Sequence, residues 1–149
     1  MIYNKRIATL ILSFTTLFIG GGLYLMYRSE HLVMFDWCKA IGIYPYIQQL
    51  RPQGHFDSWL VYSLPDGLWL FSYIILMGAI WAFNVRKSLF CSVPMMLVAI
   101  GSELLQIPHI IRGTFDVMDL LCYIAGGVIG IFYIKQLNKI NDYENKKLI

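Results

Sequence analysis

Twenty consecutive residues, 7–26, carry no charged side chain. A run of that length is what an α-helix needs to cross about 30 Å of hydrocarbon. In that medium the backbone groups must be satisfied internally, which restricts the chain to helices or a closed barrel. Three more runs of similar character follow at about 64–83, 89–107 and 115–134. The reading is an all-α, four-span transmembrane helical bundle formed by a single membrane domain, 1–149. Composition agrees: 58% of residues are hydrophobic and 14% charged, with a mean hydropathy of +0.59. A soluble domain carries about 25% charged residues.

The first run follows Asn4, Lys5 and Arg6, a charged start like that of a signal peptide. It exceeds the usual signal core of roughly 7–15 residues and no A-x-A pattern follows, so it is expected to stay as a span. The connection 28–63 is rich in aromatics (Trp37, Tyr44, Tyr46, Phe56, Trp59, Tyr62) and broken by Pro45, Pro52 and Gly54. Aromatics of this kind favour the membrane–water interface, so short interfacial helices are expected between spans 1 and 2. A packed loop on the helix ends is the plainer alternative.

Pro65 suits the first turn of the second span and Pro94 the beginning of the third, which is expected to stop at Pro108. Thr114 is placed to cap the fourth, with Asp116 in its first turn. A basic, polar tail, 135–149, then leaves the membrane. Four spans put both termini on one side, together with Lys5 and Arg6, Arg86 and Lys87, and Lys135, Lys139, Lys146 and Lys147. The positive-inside rule makes that side cytoplasmic, although Arg28, Lys39 and Arg51 in the long connection weaken the signal. The formal charge of +3 suits anionic lipid head groups and gives no reason to expect nucleic acid.

Against this background the stretch 101–119 stands apart, because charge at membrane depth is costly and needs a partner, a cavity or a ligand. Glu103 and Gln106 share a helix face at the outer end of the third span. On the fourth, Asp116, Asp119, Tyr123, Gly126 with Gly127, and Gly130 recur at i, i+3, i+7, i+10 and i+14, one stripe that is polar outside and small-residue inside. Gly126 and Gly130 form a G-x-x-x-G pair, so Tyr123, Gly126, Gly127 and Gly130 are read as helix-packing residues that hold the aspartates against Glu103 and Gln106. Arg112, between the two spans, is the expected counter-ion. Asp66, at the start of the second span, lies on the same side.

Glu103-x-x-Gln106, Arg112, Asp116-x-x-Asp119 and Gly126-x-x-x-Gly130, in that order over roughly 66–134, resemble the VanZ-like family of small bacterial membrane proteins. Asp66 stands for the aspartate that opens an earlier span in that pattern. Tyr123 occupies the usual place of an Asn, and Gly67 and Leu70 stand where the family pattern has Lys and His. The resemblance implies a bacterial cytoplasmic-membrane protein of the cell envelope, with teicoplanin-type glycopeptide resistance as the named example.

The expected function is therefore binding of a membrane lipid head group or a lipid-linked envelope precursor at Asp66, Glu103, Gln106, Arg112, Asp116 and Asp119. One alternative is a membrane enzyme that uses paired carboxylates as general acid and base. Another is a cluster that only ties helices together. No Ser or Cys nucleophile sits beside a base and no G-x-S-x-G occurs, which disfavours acyl transfer. Cys38, Cys91 and Cys122 lack a C-x-x-C spacing, and His31, His55 and His109 follow no ligand motif, so no metal or cofactor is expected. The glycine faces leave the oligomeric state open.

Overall fold

The computed structural model describes residues 2–30, 33–52, 59–111 and 113–147. Arg112, His31, His55 and Phe56, all named above, lie outside the described residues. The chain forms α1 (Ile2–Tyr27), α2 (Val33–Ala40), α3 (Tyr44–Leu50), α4 (Trp59–Tyr62), α5 (Leu64–Ile80), α6 (Val85–Gln106) and α7 (Val117–Lys147), with no strand among the described residues. Three helices, α1, α6 and α7, are long and apolar enough to cross a membrane; α5 is an apolar helix of 17 residues. Large apolar side chains cover the outside: Phe18, Phe90, Leu97 and Phe132 are 75%, 82%, 67% and 61% exposed. Water does not tolerate a continuous surface of that kind, and lipid does. This is a membrane-embedded helical protein.

The shortest of the four main helices is the central one. α5 packs against α1, α6 and α7, and its Leu70, Ile74, Ile75 and Ala79 are fully or almost fully buried. Leu70 and Ile74 build the core together with Ala99 of α6 and Ile134 of α7. Small residues set the spacing. A Cβ added to Gly126 of α7 would run into the backbone of Gly67 on α5, and one added to Gly130 would come within 2.9 Å of Ile74. Gly127 faces the Met96 side chain of α6. The G-x-x-x-G pair thus draws α7 onto α5, and its aspartates reach α6 from there.

One end of the bundle is tied by hydrogen bonds. Arg6 Nε donates to the Ala79 carbonyl at 2.9 Å, closing the C-terminus of α5. Thr9 and Tyr133 hydroxyls meet at 3.0 Å, and Lys5 Nζ donates to Asn141 Oδ1 at 3.4 Å. The start of α1 and the last turns of α7 therefore meet at this end. Deeper along the same seam, Ser13 Oγ donates to the Ser72 carbonyl at 2.8 Å.

Several boundaries differ from the sequence reading. α5 ends at Ile80, and a tight turn follows in which Ala82 and Phe83 take left-handed φ angles of 50° and 61°. The Phe83 ring is fully buried, so packing holds a conformation that a non-glycine residue seldom adopts. Asn84 then caps α6 by accepting from the Lys87 amide at 3.0 Å, so the helix begins at Val85 and Pro94 falls in its interior. α7 begins at Val117, and its cap is Asp116, whose Oδ1 accepts from the Met118 amide at 2.8 Å; Thr114 does not provide it. The tail continues as helix to Lys147.

Among the described residues, the connection between α1 and α5 holds three short helices. Phe35, Cys38 and Ile47 bury themselves between α2 and α3, with Tyr44 edge-on to Phe35 at 6.3 Å. Arg51 fastens this unit to the end of α1, donating to the Arg28 carbonyl at 2.8 Å and lying 3.7 Å from Glu30.

Candidate functional site

At the end opposite the tied one, four helix ends surround a polar cavity of about 700 Å³. Each element brings its polar residue within a turn or two of a terminus. α5 brings Asp66, α6 brings Glu103 and Gln106, and α7 brings Asp119 and Tyr123, with Asp116 at its cap. α1 brings Tyr24 and, just past its last turn, Arg28.

Arg28 is the counter-ion that the sequence reading missed. Its Nη2 donates to the Tyr62 carbonyl at 2.8 Å and lies 3.4 Å from Asp66 Oδ2. The guanidinium rests over the Tyr24 and Tyr62 rings, 5.4 Å and 5.8 Å from their centroids. Two aromatic faces and a carboxylate suit a planar cation that is hydrated more weakly than an ammonium. In the sequence Arg28 was only a charge complicating the topology count, although its place at the end of an apolar run, on the same side as Asp66, was a usable signal. Tyr62 was read as an interfacial aromatic, and Tyr123 as a packing residue. Tyr123 does pack on the core, and with Asp66 it also lines the cavity.

Glu103 is 7% exposed. Its Oε1 accepts from Gln106 Nε2 at 3.1 Å, while its Oε2 is buried without a hydrogen-bond partner. Asp119 Oδ1 and Arg28 Nε are in the same position. The side-chain amide of Gln106 lies against Gly113, where a Cβ would come within 2.7 Å of Oε1. Gly113 also has φ +147°, so this loop residue is restricted twice over to glycine. The loop thereby closes over the end of α6.

Among the described residues the cavity lining carries four carboxylates and one guanidinium. Asp66, Glu103, Asp116 and Asp119 face the cavity with Arg28 among the described residues, and Asp119 repels both Asp66 and Glu103. Among the described residues no three His, Cys, Asp or Glu side chains converge as a metal site would require. His109 sits in the turn after α6 with φ 57°, away from the cavity lining. What the arrangement offers is a donor-seeking wall with a fixed cation on one side.

The fold and cavity define a class, that of a helical membrane protein with a polar chamber at one end of its bundle. The chain matches no protein-family model, and comparison with curated proteins and with solved structures found no similar chain.

Proposed function

We propose that this chamber binds the polar head group of a membrane lipid or of a lipid-linked envelope precursor. The observation that carries the reading is Glu103, a carboxylate buried at the cavity wall with one oxygen unpartnered. A buried acceptor without a donor costs roughly 1–3 kcal/mol, and a charged one more. A ligand hydroxyl or ammonium removes that cost. Helix packing is a weaker explanation, because intramembrane polar contacts average only about 0.6 kcal/mol each.

In this reading α5 is a fourth span. Its 17 residues lie at the lower limit of the usual range for a spanning helix, and it is enclosed by three longer neighbours. The tied end gathers Lys5, Arg6 and the Lys87 end of α6, which supports reading it as the cytoplasmic end under the positive-inside rule, with the chamber facing outward. The VanZ-like pattern from Asp66 to Gly130 supports placement in a bacterial cytoplasmic membrane and a part in glycopeptide susceptibility. Arg28 takes the cationic role among the described residues.

The test uses Glu103→Gln, Asp66→Asn and Arg28→Ala, each assayed for membrane accumulation, teicoplanin susceptibility and retention of lipid-linked precursors by the purified protein. Normal accumulation with retention lowered about tenfold or more is the expected result. Collapse of accumulation in all three makes the cluster structural and overturns the proposal. Turnover of the precursor, where retention was expected, moves the protein to the enzyme reading.

A further inference from the structure

An apolar hollow of about 330 Å³ runs between α1 and α5, with Leu17, Gly20 and Gly21 on one flank, Pro65 and Trp69 on the other, and Met34 of α2 also in its lining. Chamber and hollow share Tyr24, Asp66 and Tyr123 in their linings, so the two adjoin at these side chains. Leu17 and Trp69 are 36% and 40% exposed, which places the hollow on the outer, lipid-facing side of the bundle. The two glycines differ in what they do. A Cβ on Gly20 would meet the Pro65 carbonyl at 3.3 Å, so Gly20 lets the helices close. A Cβ on Gly21 would meet nothing within 4 Å, so Gly21 leaves the hollow empty.

We infer that the ligand enters sideways from the bilayer, with its hydrocarbon chain in the groove past Gly21 and a zwitterionic, ammonium-bearing phosphate head group in the chamber. This rests on the head-group reading above and adds the route and the chemistry. The order of groups along the path supports it. Moving from groove to chamber, a ligand meets the junction at Asp66, where Arg28 is bound and has an unpartnered Nε. The unpartnered oxygens of Glu103 and Asp119 belong to the chamber residues contributed by α6 and α7. A phospholipid presents its parts in the same order: chain, phosphate, then ammonium. Phosphate suits the guanidinium and the ammonium suits the carboxylates.

The groove supplies direction rather than affinity. Lipid tails are as apolar as the groove walls, so a chain gains no hydrophobic energy by leaving the bilayer for the groove. Filling the groove should therefore block a lipid and spare a soluble head group.

The experiment uses the purified full chain in detergent micelles. Native mass spectrometry follows retention of phosphatidylethanolamine and phosphatidylglycerol, and calorimetry follows phosphoethanolamine. Wild type is expected to prefer phosphatidylethanolamine by about tenfold or more. Gly21→Trp is expected to lower that retention by a similar factor while phosphoethanolamine binding stays unchanged. Gly22→Trp, at a glycine that is equally open but outside the groove, is expected to behave as wild type. Leu17→Trp serves if Gly21→Trp does not fold. Folded groove variants that retain the lipid like wild type overturn the lateral route. Preference for phosphatidylglycerol overturns the ammonium assignment. Failure of wild type to bind phosphoethanolamine or either phospholipid overturns this assignment, whereas the head-group site itself falls only if lipid-linked precursors are not retained either.

Discussion

Gly67 on α5 and Gly126 on α7 touch backbone to backbone. A Cβ on Gly67 would come within 2.6 Å of the Cys122 carbonyl oxygen, and one on Gly126 would collide with the Gly67 carbonyl. Asp66 adjoins Gly67, and Asp119 and Tyr123 lie two turns and one turn before Gly126. The glycine contact is thus what holds a carboxylate of α5 beside those of α7, despite their repulsion.

Gly126→Ala is expected to force these helices apart, because the obstacle is backbone and cannot rotate away. Overpacking of a close contact costs about 1–3 kcal/mol. Thermal unfolding of the purified protein should show Gly126→Ala well below wild type and Gly22→Ala at or above it, since a Cβ at Gly22 meets nothing within 4 Å. Equal melting of the two variants would remove the glycine contact as the organiser of the site.

The start of α7 separates two candidate caps. Asp116→Ala should cost about 1 kcal/mol, the usual loss of an N-cap, because its Oδ1 holds the Met118 amide. Thr114→Ala should leave the melting temperature unchanged within about 0.5 kcal/mol of stability. The reverse ranking would restore Thr114 as the cap.

Tyr44 gives the pH dependence outside the spans. Its hydroxyl bonds to Glu30, and that bond, with partial burial and the Glu30 charge, raises its pKa above the ordinary value of 10.0. The neutral form is the one stabilised by folding. Its contribution is therefore complete below about pH 10 and fades as pH climbs through the raised folded value. Melting curves of wild type and Tyr44→Phe should differ at pH 8 and converge in the alkaline range. A constant difference across the titration would rule the bond out.

The apolar runs were legible in the sequence because a spanning helix leaves a long one-dimensional trace. The polar residues of α6 and α7 were legible for a related reason, since charge within such a run is conspicuous. Arg28 was not. It lies just outside the first run, and its meeting with Asp66 depends on how α1 and α5 pack, which no local spacing records. Thr114 and Asp116 are both good capping residues two positions apart, so local preference alone could not choose between them. The helical tail follows from the absence of Gly or Pro between Lys135 and Lys147, where polarity had suggested only departure from the membrane. The groove at Gly21 left no trace at all, because an open glycine and a packed one read alike.

The hydrogen bonds of Arg6, Thr9 and Lys5 set one end of the bundle apart from the other. They fasten α1 to α5 and α7 at one end of the bundle, while at the other the carboxylates push apart and Arg28 bridges α1 to α5. The two ends are therefore held by different means, because at the charged end backbone contacts at Gly20 and Gly67 brace α5 and the Arg28–Asp66 ion pair adds to them. Added salt weakens an ion pair and leaves a backbone contact untouched, so ionic strength acts on one end of the bundle more than on the other.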